Sequence, residues 1–173
     1  IFLVEVMGRH AGFLGASAAL SGAANYVILP ELFNDTDTTL KDIHQQLSIH
    51  RQRYGHESFI IVLTENLWPE GIAKLGVQLE ELTGGEVRPA ILGHIQRGGS
   101  PVSQDRMLAT LLGVNAVRCV EQNKTGIMVG LQNNQPVEIE LSQTWENRKE
   151  LGDTLTQTMV TMLNERHNWG MTT

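Results

Sequence analysis

The stretch Arg88-Pro89-Ala90-Ile91-Leu92-Gly93-His94-Ile95-Gln96-Arg97-Gly98-Gly99-Ser100-Pro101 runs from a short apolar segment into glycines, a histidine and an arginine. Pro89 to Leu92 is too brief for a helix before Gly93, and an apolar run bounded by turn residues reads as a strand buried on both faces. His94 and Arg97 fall just past its carboxyl end. Open α/β sheets hold ligands there, because the loops carry side chains away from the packed core. Gly98 and Gly99 permit a tight turn, and the planar fork of Arg97 matches phosphate or carboxylate oxygens. The pattern fits an anion site for a phosphorylated small molecule; a solvated loop whose arginine pairs with a surface carboxylate is the plainer alternative.

Working outward, Ile72, Leu75, Leu79 and Leu82 mark a helix after Pro69 that Gly84-Gly85 stops. Before it, Ser58 to Glu65 is the clearest strand, and it delivers Glu65 to the same end as His94. A carboxylate there can accept hydrogen bonds from sugar hydroxyls or cap the next turn. Asp35 to Asp37 is capping material for a helix through about Arg53 with Leu40, Ile43 and Leu47 on its apolar face, and Tyr26 to Pro30 is a short strand. Ile1 to Met7 reads as a buried parallel strand, followed by Gly8-Arg9-His10-Ala11-Gly12 and a small-residue helix to about Ala24. Arg9 therefore sits at a strand-to-helix turn, where free N–H groups and the helix dipole favour an anion, or simply faces solvent in an ordinary turn.

Downstream, Ser100-Pro101 opens a helix to about Glu121 that is apolar almost all round: Met107, Leu108, Leu111, Leu112, Val114, Val117 and Val120. Such a helix needs neighbours. Gly126 to Leu131, Asn133-Asn134 and Val137 to Leu141 read as a hairpin, and Leu151, Leu155, Met159, Met162 and Leu163 as a final amphipathic helix with a loose tail from His167. The order βαβαβαβα, then hairpin and helix, predicts an α/β fold with a mostly parallel sheet flanked by helices.

The 173 residues suffice for one domain with a real core, and 41% hydrophobic with 18% charged residues is a globular composition. A formal net charge of -6 argues against nucleic acid as the main partner, so the arginines act locally. The single Cys119 excludes an intrachain disulfide, and no Cys/His cluster has zinc-ligand spacing. No apolar run reaches membrane-spanning length and Ile1 to Val6 is too short for a signal peptide, which makes a cytoplasmic location without membrane partners the expectation. The chain opens on Ile1 directly inside a strand, which reads as a fragment.

With these residues in place, the chain resembles the 6-phosphofructokinase family over nearly its full length. The resemblance is carried by Val4-Glu-Val-Met-Gly-Arg-His-Ala-Gly12, by the strand ending Thr64-Glu65, and by Val87 to Pro101 followed by Asp105-Arg106. It implies a fructose 6-phosphate site: Met7, Gly8 and Arg9 near the reacting end of the sugar, Glu65 on sugar hydroxyls, His94 and Arg97 on the 6-phosphate. Arg88 would reach into a neighbouring subunit's site, which implies a homo-oligomer. Arg9 would also stabilise charge on the transferred phosphoryl group, the catalytic role in this reaction class.

The resemblance further implies phosphorylation of fructose 6-phosphate at its 1-hydroxyl by ATP with Mg²⁺, as in glycolysis. The family's donor loop, its Gly-Asp-Gly segment and the segment with the catalytic base would precede Ile1, so the isolated chain is expected to be inactive and to bind neither ATP nor Mg²⁺ alone. Residues 1-94 would form the fructose 6-phosphate domain, 95-143 a helix and hairpin of an otherwise missing donor domain, and 144-173 a helix returning to the first. Exposed apolar surface on the isolated chain follows. The His-Ala-Gly after Met-Gly-Arg also resembles pyrophosphate-dependent members, which keeps pyrophosphate open as donor, and a non-catalytic sugar-phosphate-binding module is a further alternative. Asn25 and Tyr54-Gly55-His56 stand where allosteric bacterial members carry a metal-binding carboxylate and lysines, which argues against the usual nucleotide effector site.

Overall fold

The computed structural model describes residues 1–55, 58–146, 151–152, 154, 156–159 and 161. They fall into two compact units, one comprising Ile1–Arg97 with the described residues beyond 150, the other running from Gly98 to Glu146.

The first unit alternates strands and helices: β1 (Phe2–Val6), α1 (Phe13–Ser21), β2 (Tyr26–Ile28), α2 (Thr36–Tyr54), β3 (Ile60–Thr64), α3 (Ile72–Thr83) and β4 (Arg88–Ile91), then a 3₁₀ turn over Gly93–Arg97. All strand pairs are parallel, in the order β2-β3-β1-β4. Successive side chains on a strand point to opposite faces, so the sheet feeds two cores. On one face Leu3, Ile28, Ile61 and Leu63 pack with Ile43 and Leu47 of α2 and Ile72, Leu75 and Leu79 of α3. On the other Val6, Val27 and Val62 meet Ala16 and Ala19 of α1, together with Leu151 and Met159.

Local chemistry sets the element ends. Asp35 caps α2, its Oδ1 accepting the Thr38 N–H at 2.8 Å. These bonds hold the Asp35 carboxyl below its ordinary range. Gly84 ends α3 in the left-handed conformation, its N–H donating to the Glu80 carbonyl at 2.9 Å. The small residues of α1 serve close approach: a Cβ on Gly15 would lie 2.5 Å from Leu29 Cδ2 and 2.9 Å from Thr64 Oγ1.

One expectation is overturned. The apolar run at β4 is not buried on both faces: β4 is the edge strand, paired with β1 alone, and Arg88 to Ile91 are all exposed. Apolarity marks a strand without saying how many neighbours it has. The final helix is seen only in part, at Thr154, Thr156–Met159 and Thr161; Leu155, Met162, Leu163 and the tail from His167 lie outside the described residues.

The second unit comprises α4 (Ser103–Glu121), the antiparallel hairpin of β5 (Ile127–Gln132) and β6 (Gln135–Glu140), and a short α5 (Gln143–Glu146). Asn133 and Asn134 take φ of 51° and 62°, the pair of positive values that a two-residue hairpin turn requires. On α4 only Cys119 is buried, and Met107, Val117 and Val120 are more than half exposed.

Leu63 is fully buried on the central strand β3, whereas Ile91 is 63% exposed. Leu63→Ala should lower the unfolding free energy of this chain by about 2–5 kcal/mol and Ile91→Ala by less than about 0.5 kcal/mol. Urea denaturation followed by circular dichroism would check both.

Candidate functional site

The carboxyl ends of β1, β3 and β4 open at one edge of the sheet, and each hands over a different chemistry. Past β1 come Met7, Gly8 and Arg9; past β3, Glu65; past β4, the 3₁₀ turn with His94 and Arg97. Gly8 (φ 151°) and Arg9 (φ 50°) turn the chain out of the sheet. A side chain at Gly8 would meet the Ala11 carbonyl oxygen at 2.6 Å and Thr64 Cγ2 at 2.9 Å, so glycine is required there. Arg9, a non-glycine residue in the left-handed region, is exposed beyond that turn.

Two side chains tie the ends together. Gln96 Oε1, from the 3₁₀ turn, accepts the Met7 N–H at 2.8 Å. Glu65 Oε1 accepts the Gly8 N–H at 3.3 Å. Glu65 thus caps the end of the neighbouring strand, a role that its place in the sequence does not announce. A carboxylate has about four lone-pair sites, so capacity remains to accept from other donors.

His94 and Arg97 are exposed and three residues apart on the 3₁₀ turn, where side chains at i and i+3 eclipse. They therefore leave the turn on one side. Arg88 is not brought to this edge. It begins β4, and the four strand residues span about 13 Å, so it stands at the opposite end of the sheet. There its guanidinium forms a two-pronged pair with Glu86, Nε to Oε1 at 2.9 Å and Nη2 to Oε2 at 3.1 Å, both residues exposed.

Two carboxylates not singled out in the sequence shape the surroundings. Glu31 Oε1 accepts the Gly12 N–H at 2.8 Å, so the anion at the start of α1 is supplied from within the chain. Glu5 lies two positions before Met7 on β1, in register with Leu63 and Ile91, on the same sheet face as Glu65. Burial, and then the Glu65 charge, push its carboxyl above the ordinary range. Gln96 stands within the decisive stretch, but no spacing rule distinguishes a glutamine that reaches a strand 89 residues away from one in solvent. His56 lies outside the described residues; Asn25 Nδ2 sits 3.4 Å from His50 Nδ1, and its Oδ1 accepts the Ile60 N–H at 2.8 Å.

The phosphofructokinase family model matches residues 1–120. The chain belongs to the phosphofructokinase family. It is 37% identical over 155 residues to the ATP-dependent 6-phosphofructokinase 1 of Thermus thermophilus, covering 90% of this chain and 47% of that protein. It is 40% identical over 149 residues to the ATP-dependent 6-phosphofructokinase of Haemophilus ducreyi, covering 86% and 44%. The chain thus spans a little under half the length of these phosphofructokinases. Among solved structures, the Pichia pastoris phosphofructokinase in the T-state superposes with a TM-score of 0.68 at 29% identity, over 97% of this chain and 19% of that one. The pyrophosphate-dependent phosphofructokinase from Marinobacter aquaeolei gives 0.66 at 23% identity, over 94% and 46%, a likeness of fold.

The raised Glu5 carboxyl has a consequence for stability. Its folded pKa exceeds the unfolded one, so ionising it costs stability as pH rises through the folded value. Glu5→Gln should therefore stabilise the chain near pH 7 by about 0.5 kcal/mol or less, allowing for solvent screening. The gain should vanish below the ordinary glutamate range, as thermal melts from pH 4 to 8 would reveal.

Proposed function

We propose that this chain is the sugar-phosphate half of an ATP-dependent 6-phosphofructokinase, which transfers a phosphoryl group from ATP to the 1-hydroxyl of fructose 6-phosphate. The observation that carries the reading is the cross-tied sheet edge, where a carboxylate and two eclipsed cation-forming side chains stand beside the Gly8-Arg9 turn. A sugar phosphate presents the complementary groups: hydroxyls that donate to Glu65 and a dianion for His94 and Arg97. Arg9 follows the backbone turn at Gly8 and is assigned to the reacting end, where a guanidinium lowers the barrier by neutralising charge that grows in the transition state.

ATP as the donor is supported by the names of relatives 37% and 40% identical to this chain, while the pyrophosphate-dependent likeness lies at 23% identity. Among the described residues no three His, Cys, Asp or Glu side chains come together to hold a metal ion. On the family resemblance, Mg²⁺, the donor loop and the catalytic base are assigned to the part of its relatives' length that this chain does not span. Arg88, at the far end of β4, is assigned to a neighbouring subunit's site in a homo-oligomer. A cytoplasmic location accords with glycolytic chemistry, and no helix among the described residues is long and apolar enough to cross a membrane.

In the full-length protein Arg97→Ala should raise the KM for fructose 6-phosphate about 10- to 100-fold, the value of a charge-assisted hydrogen bond, and leave kcat within a few fold. Arg9→Ala should lower kcat as well, by about a hundredfold. Steady-state kinetics with ATP and with pyrophosphate would decide: an unchanged KM in the Arg97 variant removes the phosphate assignment, and turnover with pyrophosphate alone replaces the donor.

A further inference from the structure

We propose that Gln96 is a positioning residue of this site, setting where His94 and Arg97 stand relative to the Gly8-Arg9 turn; this rests on reading the edge as the fructose 6-phosphate site. A 3₁₀ turn has three residues per revolution, so its side chains leave in three directions. On Gly93–Arg97 those directions carry different burdens. His94 and Arg97 share one and are exposed; Ile95 takes the second and is 76% exposed; Gln96 takes the third and is half-buried against the end of β1. The Gln96 direction is anchored by a side-chain hydrogen bond, the 2.8 Å acceptance from the Met7 N–H.

The segment needs that anchor because its ends are pliable. Gly93 (φ 52°) opens the turn and Gly98 (φ 83°) follows it, and neither has a neighbour within 4 Å of where a Cβ would stand. The backbone tie upstream, Leu92 N–H to the Glu5 carbonyl at 3.1 Å, ends before the first of these glycines. Rotation about Gly93 and Gly98 would swing His94 and Arg97 together, whereas the Gln96 bond locks the turn to the residue immediately before Gly8. The distance between the phosphate-facing side chains and the reacting end of the sugar is thereby set by one glutamine amide.

The test is a double-mutant cycle in the full-length protein with fructose 6-phosphate and ATP as substrates. Gln96→Leu removes the acceptor, and Gln96→Met does so with an unbranched chain of similar length. Both should raise the KM for fructose 6-phosphate about tenfold, with the KM for ATP changed by less than about twofold and the thermal midpoint lowered only by the few degrees that a lost backbone hydrogen bond costs. Introduced into Arg97→Ala, Gln96→Leu should add clearly less than the tenfold it costs alone, because only His94 is left for it to position. Three results overturn the proposal: an unchanged fructose 6-phosphate KM in both single variants; full additivity with Arg97→Ala; or a parallel fall of thermal midpoint and both affinities, which marks a purely structural role. Absence of fructose 6-phosphate-dependent turnover in the unmutated full-length protein would overturn the functional reading itself, and this proposal with it.

Discussion

Two successive amide groups at the end of β1, those of Met7 and Gly8, bind to side-chain oxygens rather than to a strand ladder. A half-buried N–H without a partner costs free energy comparable to a lost hydrogen bond, so the ends of a parallel sheet need outside acceptors. Gln96 and Glu65 supply them from opposite sides, because β1 lies between β4 and β3 in the sheet. What satisfies the backbone also ties the strand ends together: the groups that end β1 belong to the segments that carry Glu65, His94 and Arg97. Those segments converge on the same few atoms.

That convergence depends on the layers beneath. The α2–α3 face packs long aliphatic side chains against the sheet, whereas the α1 face packs alanine and glycine. Close approach of α1 leaves its start, at Gly12, beside Glu31 and the Gly8–Ala11 turn. Glu31 takes the position at the start of that helix which an external anion could otherwise use. His94 and Arg97 stand on the opposite, β4 side of β1. Glu5 lies half-buried two positions before Met7, and burial together with the Glu65 charge raises its carboxyl above the ordinary range.

The exposed apolar residues of α4 and the open edge at β4 belong to a chain that spans a little under half of its relatives' length. Within each compact unit the described residues nonetheless satisfy their own local rules: the Asp35 cap, the Gly84 stop and the Asn133-Asn134 turn all stand.

The sequence by itself determined the order and type of the elements, since periodicity, caps and glycine stops act over a few residues. It also placed Arg9, Glu65, His94 and Arg97 just beyond strand ends, because strand termini can be read from where apolar runs stop. Only the tertiary structure decided that β4 is an edge, that Arg88 stands at the other end of the sheet, and that Glu65 and Gln96 reach β1 across 57 and 89 residues. Those outcomes depend on which strands become neighbours, a choice made by packing across the whole domain, and a local pattern carries no record of it.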